Sequence, residues 1–84
     1  MSRTAAVLGA AAARRALGAL GGFDEIVVLE PSVDALEELM HELRDPRLDY
    51  LLGALPVLPL PDASVDLLVG ADAEDPEAQR VLRP

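Results

Sequence analysis

The sequence predicts an α/β fold, a parallel sheet of about four strands flanked by helices. Three observations carry that expectation. Short apolar runs of strand length recur along the chain, segments with helical spacing lie between them, and Gly or Pro punctuates the junctions. Alternation of this kind implies parallel strands joined by right-handed crossovers.

Glu25 to Glu30 (EIVVLE) is the clearest strand, a continuous β-branched run of the sort shown by strands covered on both faces. Pro31 ends it and Ser32 can cap a helix. Val33, Leu36, Leu39, Met40 and Leu43 then recur at helical spacing until Asp45-Pro46 stops the pattern. Leu48 to Gly53 (LDYLLG) and Val65 to Gly70 (VDLLVG) are two further strands. Between them LPVLPLPDAS carries too many prolines for a long helix or a central strand and is read as connection. At the beginning, Ala5 to Leu8 is read as a strand, Gly9 as a turn and Ala10 to Leu20 as a helix. Asp75 to Leu82 (DPEAQRVL) forms a short last helix, with an acidic cap and Pro in its first position.

The chain's 84 residues suit one domain, residues 1–84, burying about 60 to 65% of its unfolded surface. Hydrophobic residues make up 51% and aromatics only 2%, so Leu, Val and Ala must build the core. Seven arginines, no lysine and fifteen acids give a net charge of -8, whose field repels phosphate backbones and anionic membranes. Nucleic acid is not an expected partner. The longest uncharged run, Tyr50 to Pro61, is broken by three prolines and falls short of the roughly 20 apolar residues of a membrane helix. No membrane association and a cytoplasmic location are expected. Absence of Cys removes thiolate chemistry and Cys-bound metals, and absence of Lys removes a P-loop or Schiff base. No metal site is expected: Asp72, Glu74, Asp75 and Glu77 lack a fixed oxygen spacing and read as a solvated helix start.

Three stretches carry a family resemblance: FDEIVVLEPSVDALEEL, GALPVLPLPDASVDLLVG and DPEAQRVLRP. They resemble the class I S-adenosylmethionine-dependent methyltransferases, in particular the small-molecule branch of the ubiquinone-biosynthesis-like type. The likeness implies a reduced Rossmann-like methyltransferase core with strand order 3-2-1-4, incomplete relative to the family. It also implies S-adenosylmethionine as cofactor and methyl transfer to a small-molecule or other nucleophile. In the family an acid ending the second strand binds the ribose hydroxyls. Glu30 stands there, 21 positions after Gly9, near the spacing of about 20 in nucleotide-type βαβ units. The resemblance places Gly9 and Ala11 at the glycine-rich turn beside the methionine part, and Gly53, Ala54 and Leu55 beside adenine.

Departures from the family pattern are specific. Ala11 and Ala13 stand where the turn has glycines, Val7 replaces an acid, and Ala54 replaces the acid that contacts the adenine amino group. A left-handed conformation at Ala11 or Ala13 would cost about 1 to 2 kcal/mol each; alternatively an alanine-rich helix runs back through the turn. No residue is assigned as catalytic. His41, the only histidine, falls on a polar or boundary helix face, and Asp66 is read as structural. The second reading is a noncatalytic remnant or interaction module that forms a homodimer through an uncovered Val65 to Val69 strand edge.

Overall fold

The computed structural model describes residues 2–84. Its elements run β1 (Thr4–Leu8), α1 (Ala10–Ala16), β2 (Glu25–Glu30), α2 (Val33–Glu42), β3 (Leu48–Leu52), β4 (Leu67–Val69) and α3 (Pro76–Val81). All four strands lie in one sheet in the order β3-β2-β1-β4. Every neighbouring pair is parallel, with Val7 opposite Val28 and Val69 in the centre and Val28 opposite Tyr50 outside it. The expected topology is therefore the observed one.

The central strands β1 and β2 are covered on both faces, which is why they read as unbroken apolar runs. Ala5, Val7, Ile26 and Val28 pack on one face with Ala10, Ala13, Leu20 and Leu39 from the side of α1 and α2. On the other, Ala6 and Leu29 pack with Leu58, Val65 and Val81, so α3 and the proline-rich connection form the second cover. Small Ala5 and Ala6 on β1, both fully buried, let the two covers approach the central strand closely.

Local sequence accounts for the helix starts. Ser32 caps α2 by accepting the Ala35 N–H through Oγ at 3.3 Å. Asp75 caps α3 by accepting the Glu77 N–H at 2.9 Å, with Pro76 behind it.

Two elements differ from expectation. The first helix ends at Ala16, and Leu17–Ala19 forms a 3-10 turn instead of continuing to Leu20. Gly18 weakens the helix there, and the tighter turn delivers Leu20, 4% exposed, into the core. The last strand is shorter than Val65 to Gly70. Val65 is 1% exposed and pairs in parallel with Leu82, so the free edge begins at Leu67 and not at Val65. Backbone bonds from Ser64 and Val65 to the Val81 carbonyl, and from Arg83 N–H to the Val65 carbonyl, fix that departure.

Asp66 ties the lower end of the sheet, accepting the Thr4 N–H and the Arg83 guanidinium, each at 2.8 Å. The Thr4 bond first, then Arg83, holds its carboxyl below the usual range. At the same end Arg47 donates to the carbonyls of Leu20 and Phe23 and to the Asp45 carboxylate. No helix of the described residues is long and apolar enough to cross a membrane.

Candidate functional site

The strand order makes β1 and β4 neighbours although they are distant in sequence, while the chain leaves β1 toward β2 on the other side. A crevice beyond the carboxyl ends of the strands at such a switch point is where open parallel sheets bind ligands. Four positions border it: Gly9 after β1, Glu30 at the end of β2, Gly53 after β3 and Gly70 after β4.

Gly9 turns the chain from strand into helix with φ +97° and ψ 143°, a conformation that side chains disfavour. Its N–H donates to the Leu29 carbonyl at 2.7 Å, locking the turn against β2. A Cβ at Gly9 would meet nothing within 4 Å, so the space above the turn is open.

Glu30 reaches across that turn. Its Oε1 accepts the Ala10 N–H at 3.0 Å and its Oε2 accepts the Ser32 N–H at 2.8 Å. One carboxylate thus serves the starts of both α1 and α2, satisfying amides that have no partner within their helices. A carboxylate offers about four acceptor positions, and these bonds use two. The remaining two are the number a vicinal diol needs.

Ala11 is exposed in the first turn of α1, and Ala13, 3% exposed, belongs to the core beneath it. The helix begins directly after Gly9. Neither alanine adopts a left-handed conformation, and the strain considered for them does not arise: among described non-glycine residues only Ala63 has positive φ, 49°.

Gly53 joins the crevice through its N–H, which donates to the Glu30 carbonyl at 3.3 Å. A Cβ there would stand 2.7 Å from Pro59 Cδ, so the absent side chain lets the proline-rich connection fold onto the sheet. Ala54 pairs with Val57 in an isolated antiparallel bridge, and Leu55 at the tip of this turn faces a cavity of about 430 Å³. Gly70, Ala71, Asp72 and Asp75 form its other walls. Glu30, Gly9 and Gly53 thus meet over β2, while Leu55 lines the neighbouring cavity; Gly9, Glu30, Gly53 and Ala54 are not among its walls.

Gly70 and Ala71 were not singled out from the sequence as site residues. A glycine directly after a strand beside the switch point is the signal that points to Gly70. His41 is exposed on α2, and Arg14 of α1 is engaged by Glu42 at 2.6 Å. Among the described residues no three His, Asp or Glu side chains converge as metal ligands.

Toward a nucleoside cofactor, Glu30 offers acceptor positions and Leu55 an apolar wall, but the two do not line one cavity. Ala11 and Ala54 supply no polar side-chain contact at the other positions.

No protein-family model matches the chain, and no curated protein matches it. Solved structures do. A chain from the complex between the Haloferax volcanii Trm112 methyltransferase activator and a candidate methyltransferase superposes with TM-score 0.78 at 26% identity, covering 99% of this chain and 42% of that one. A candidate type II methyltransferase from Anaeromyxobacter dehalogenans gives TM-score 0.69 at 27% identity, covering 98% and 37%. The chain spans about two-fifths of the length of these structures. Its fold is a Rossmann-like methyltransferase fold.

Proposed function

We propose that residues 1–84 form a methyltransferase-like domain of the class I, small-molecule ubiquinone-biosynthesis-like kind, which binds S-adenosylmethionine and transfers its methyl group to a small-molecule acceptor in the cytoplasm. The observation that carries this reading is Glu30, whose carboxylate overhangs the Gly9 turn and retains acceptor capacity for two hydroxyls. Gly9 and Ala11 border the methionine part, and Gly53, Ala54 and Leu55 border the adenine. When bound, the cofactor supplies an electrophilic sulfonium methyl. The chain's own residues contribute binding and alignment, the main source of rate for such a transfer. Glu30 orients the ribose, and Leu55 gives the neighbouring cavity an apolar wall. No side chain is assigned proton removal.

Calorimetric titration with S-adenosylmethionine and its demethylated product tests the reading. Binding of both is expected, weakened by the loss of the two carboxylates that Val7 and Ala54 replace; no heat at millimolar ligand in a folded sample overturns it. Ala11→Gly removes an exposed Cβ from the first turn of α1 and is expected to raise affinity if that Cβ narrows the site; Ala13 lies in the core and is left unchanged.

A second reading is a noncatalytic interaction module. It draws on the short open edge Leu67–Val69, where Leu67 is 38% exposed, and on a structural neighbour described in a complex with an activator protein. A homodimer paired through that edge would appear in light scattering across a dilution series; a strictly monomeric species at high concentration removes it.

A further inference from the structure

The proline-rich connection has little regular secondary structure, yet it carries Leu55, one wall of the cavity. What holds it is a pair of side chains on α3. Glu77 Oε1 accepts the Leu58 N–H at 2.7 Å. Arg80 uses all five of its donors: Nε binds Glu77 Oε2 at 2.8 Å, Nη2 binds Glu77 Oε1 at 2.8 Å and the Leu58 carbonyl at 2.9 Å, and Nη1 binds the Leu60 carbonyl at 2.7 Å and Asp62 Oδ1 at 2.8 Å. Between these polar clasps Leu58, 2% exposed, is buried against Leu29, Val65 and Val81.

The placement of the clasp links it to the cavity. Leu58 follows the wall residue Leu55 by three positions, and Glu77 follows the opposite wall residue Asp75 by two. The two walls belong to segments far apart in sequence, and the clasp spans them near their tips. From this we infer that Arg80, with Glu77, is a positioning residue: it fixes the Leu55 turn against the start of α3, so the cavity is preformed in the free protein. A planar fork satisfies two carbonyls and two carboxylates at once; the ammonium of lysine cannot reproduce that geometry. Preformed walls spare a ligand the ordering of a loop, so affinity depends on Arg80 although Arg80 lies outside the cavity wall.

The ligand part of this inference rests on the S-adenosylmethionine reading; the preformed wall does not. Hydrogen exchange in the ligand-free protein tests the wall. The Leu58 amide is expected to be protected in the natural protein and to lose protection by about ten-fold or more in Arg80→Met and Arg80→Lys, while the Val28 amide in β2 keeps its protection. Calorimetry with the demethylated cofactor product tests the consequence: about ten-fold weaker binding in both Arg80 variants. Arg47→Met, which removes a comparable hub at the opposite end of the strands, is expected to lower Tm without changing affinity.

An unprotected Leu58 amide in the natural protein overturns the positioning role whatever the ligand does. Protection without any binding overturns the cofactor reading and leaves the preformed wall standing. Equal losses of affinity in Arg47→Met and Arg80→Met would mean that Arg80 acts only through stability, which also overturns the inference. Should Arg80→Met not fold, Arg80→Lys carries the same comparison.

Discussion

Gly70 lies against Leu8 so closely that a Cβ on Gly70 would stand 2.9 Å from the Leu8 carbonyl oxygen, with Gly70 itself at φ +100°. Leu8 ends β1 and Gly70 directly follows β4, so their approach closes the sheet beside the cavity that Gly70 lines. Gly70→Ala therefore meets two penalties, a disfavoured backbone conformation and a collision with main-chain atoms that cannot rotate away. A loss of about 2 kcal/mol or more is expected in denaturant unfolding. Gly21→Ala, where a Cβ meets nothing, should change stability by less than about 0.5 kcal/mol. Equal effects of the two would refute the steric account.

Glu30 has two duties that can be separated. Glu30→Ala leaves the Ala10 and Ser32 amides without their side-chain acceptor and is expected to cost about 1 to 2 kcal/mol of stability. Glu30→Gln keeps an oxygen for one amide, but its NH2 group opposes the other, so an intermediate loss is expected. If Glu30 also holds the ribose, both variants lose affinity for the demethylated cofactor product by more than their stability loss explains. Unchanged affinity in a folded Glu30→Ala protein would falsify the ribose assignment.

What was legible in the sequence is what local chemistry determines. EIVVLE, Pro31 and Ser32 delimit β2 and the start of α2 without help from elsewhere, and the alternation of elements implies the parallel sheet. The four-strand order came with the family resemblance and matches the structure. What was not legible depends on partners remote in the chain. Val65 leaves the free edge because Leu82 pairs with it, and Arg80 becomes a hub because Leu58, Leu60 and Asp62 come to it from 18 to 22 residues away. At the site, Gly9 and Glu30 stand out by spacing, but Gly70 matters through Leu8, a contact that only the β1 and β4 pairing creates.

Acid should loosen the molecule through its paired carboxylates, Glu77 and Asp45 most strongly and Asp66 in the same direction. Arg80, and then the Leu58 N–H, holds the Glu77 carboxyl down to about 2 from an ordinary 4.5; Arg47 does the same for Asp45, to about 2 from 3.8. Groups lowered on folding contribute fully above their ordinary values and lose that contribution as pH falls through the folded ones. The relevant window runs from about pH 4.5 to 2. Acid also relieves the repulsion of a net charge of -8, an opposing effect, so raw Tm against pH does not isolate the carboxylates. The difference between the natural protein and Glu77→Gln does. Their Tm gap should be constant from pH 8 to about 5 and shrink toward pH 2; a gap that is flat throughout would show that the clasp does not depend on the ionised form.

Leu39 on α2 is fully buried among the residues that join α1 and α2 to the sheet. Leu39→Ala removes three heavy atoms from a close-packed layer, where rigid neighbours such as Val28 and Ile26 cannot collapse far into the void. Such truncations cost about 2 to 5 kcal/mol. A chain of 84 residues has a total stability of about 4 to 13 kcal/mol, so this one substitution removes a large fraction of it. Val57, 73% exposed in the connection, makes the contrasting case, and Val57→Ala is expected to stay within about 0.5 kcal/mol of the natural protein. Urea unfolding followed by circular dichroism reads both. Because the layer under Leu39 faces away from α3, the Leu58 amide should lose protection in Leu39→Ala only in step with global unfolding, whereas Arg80→Met exposes it selectively.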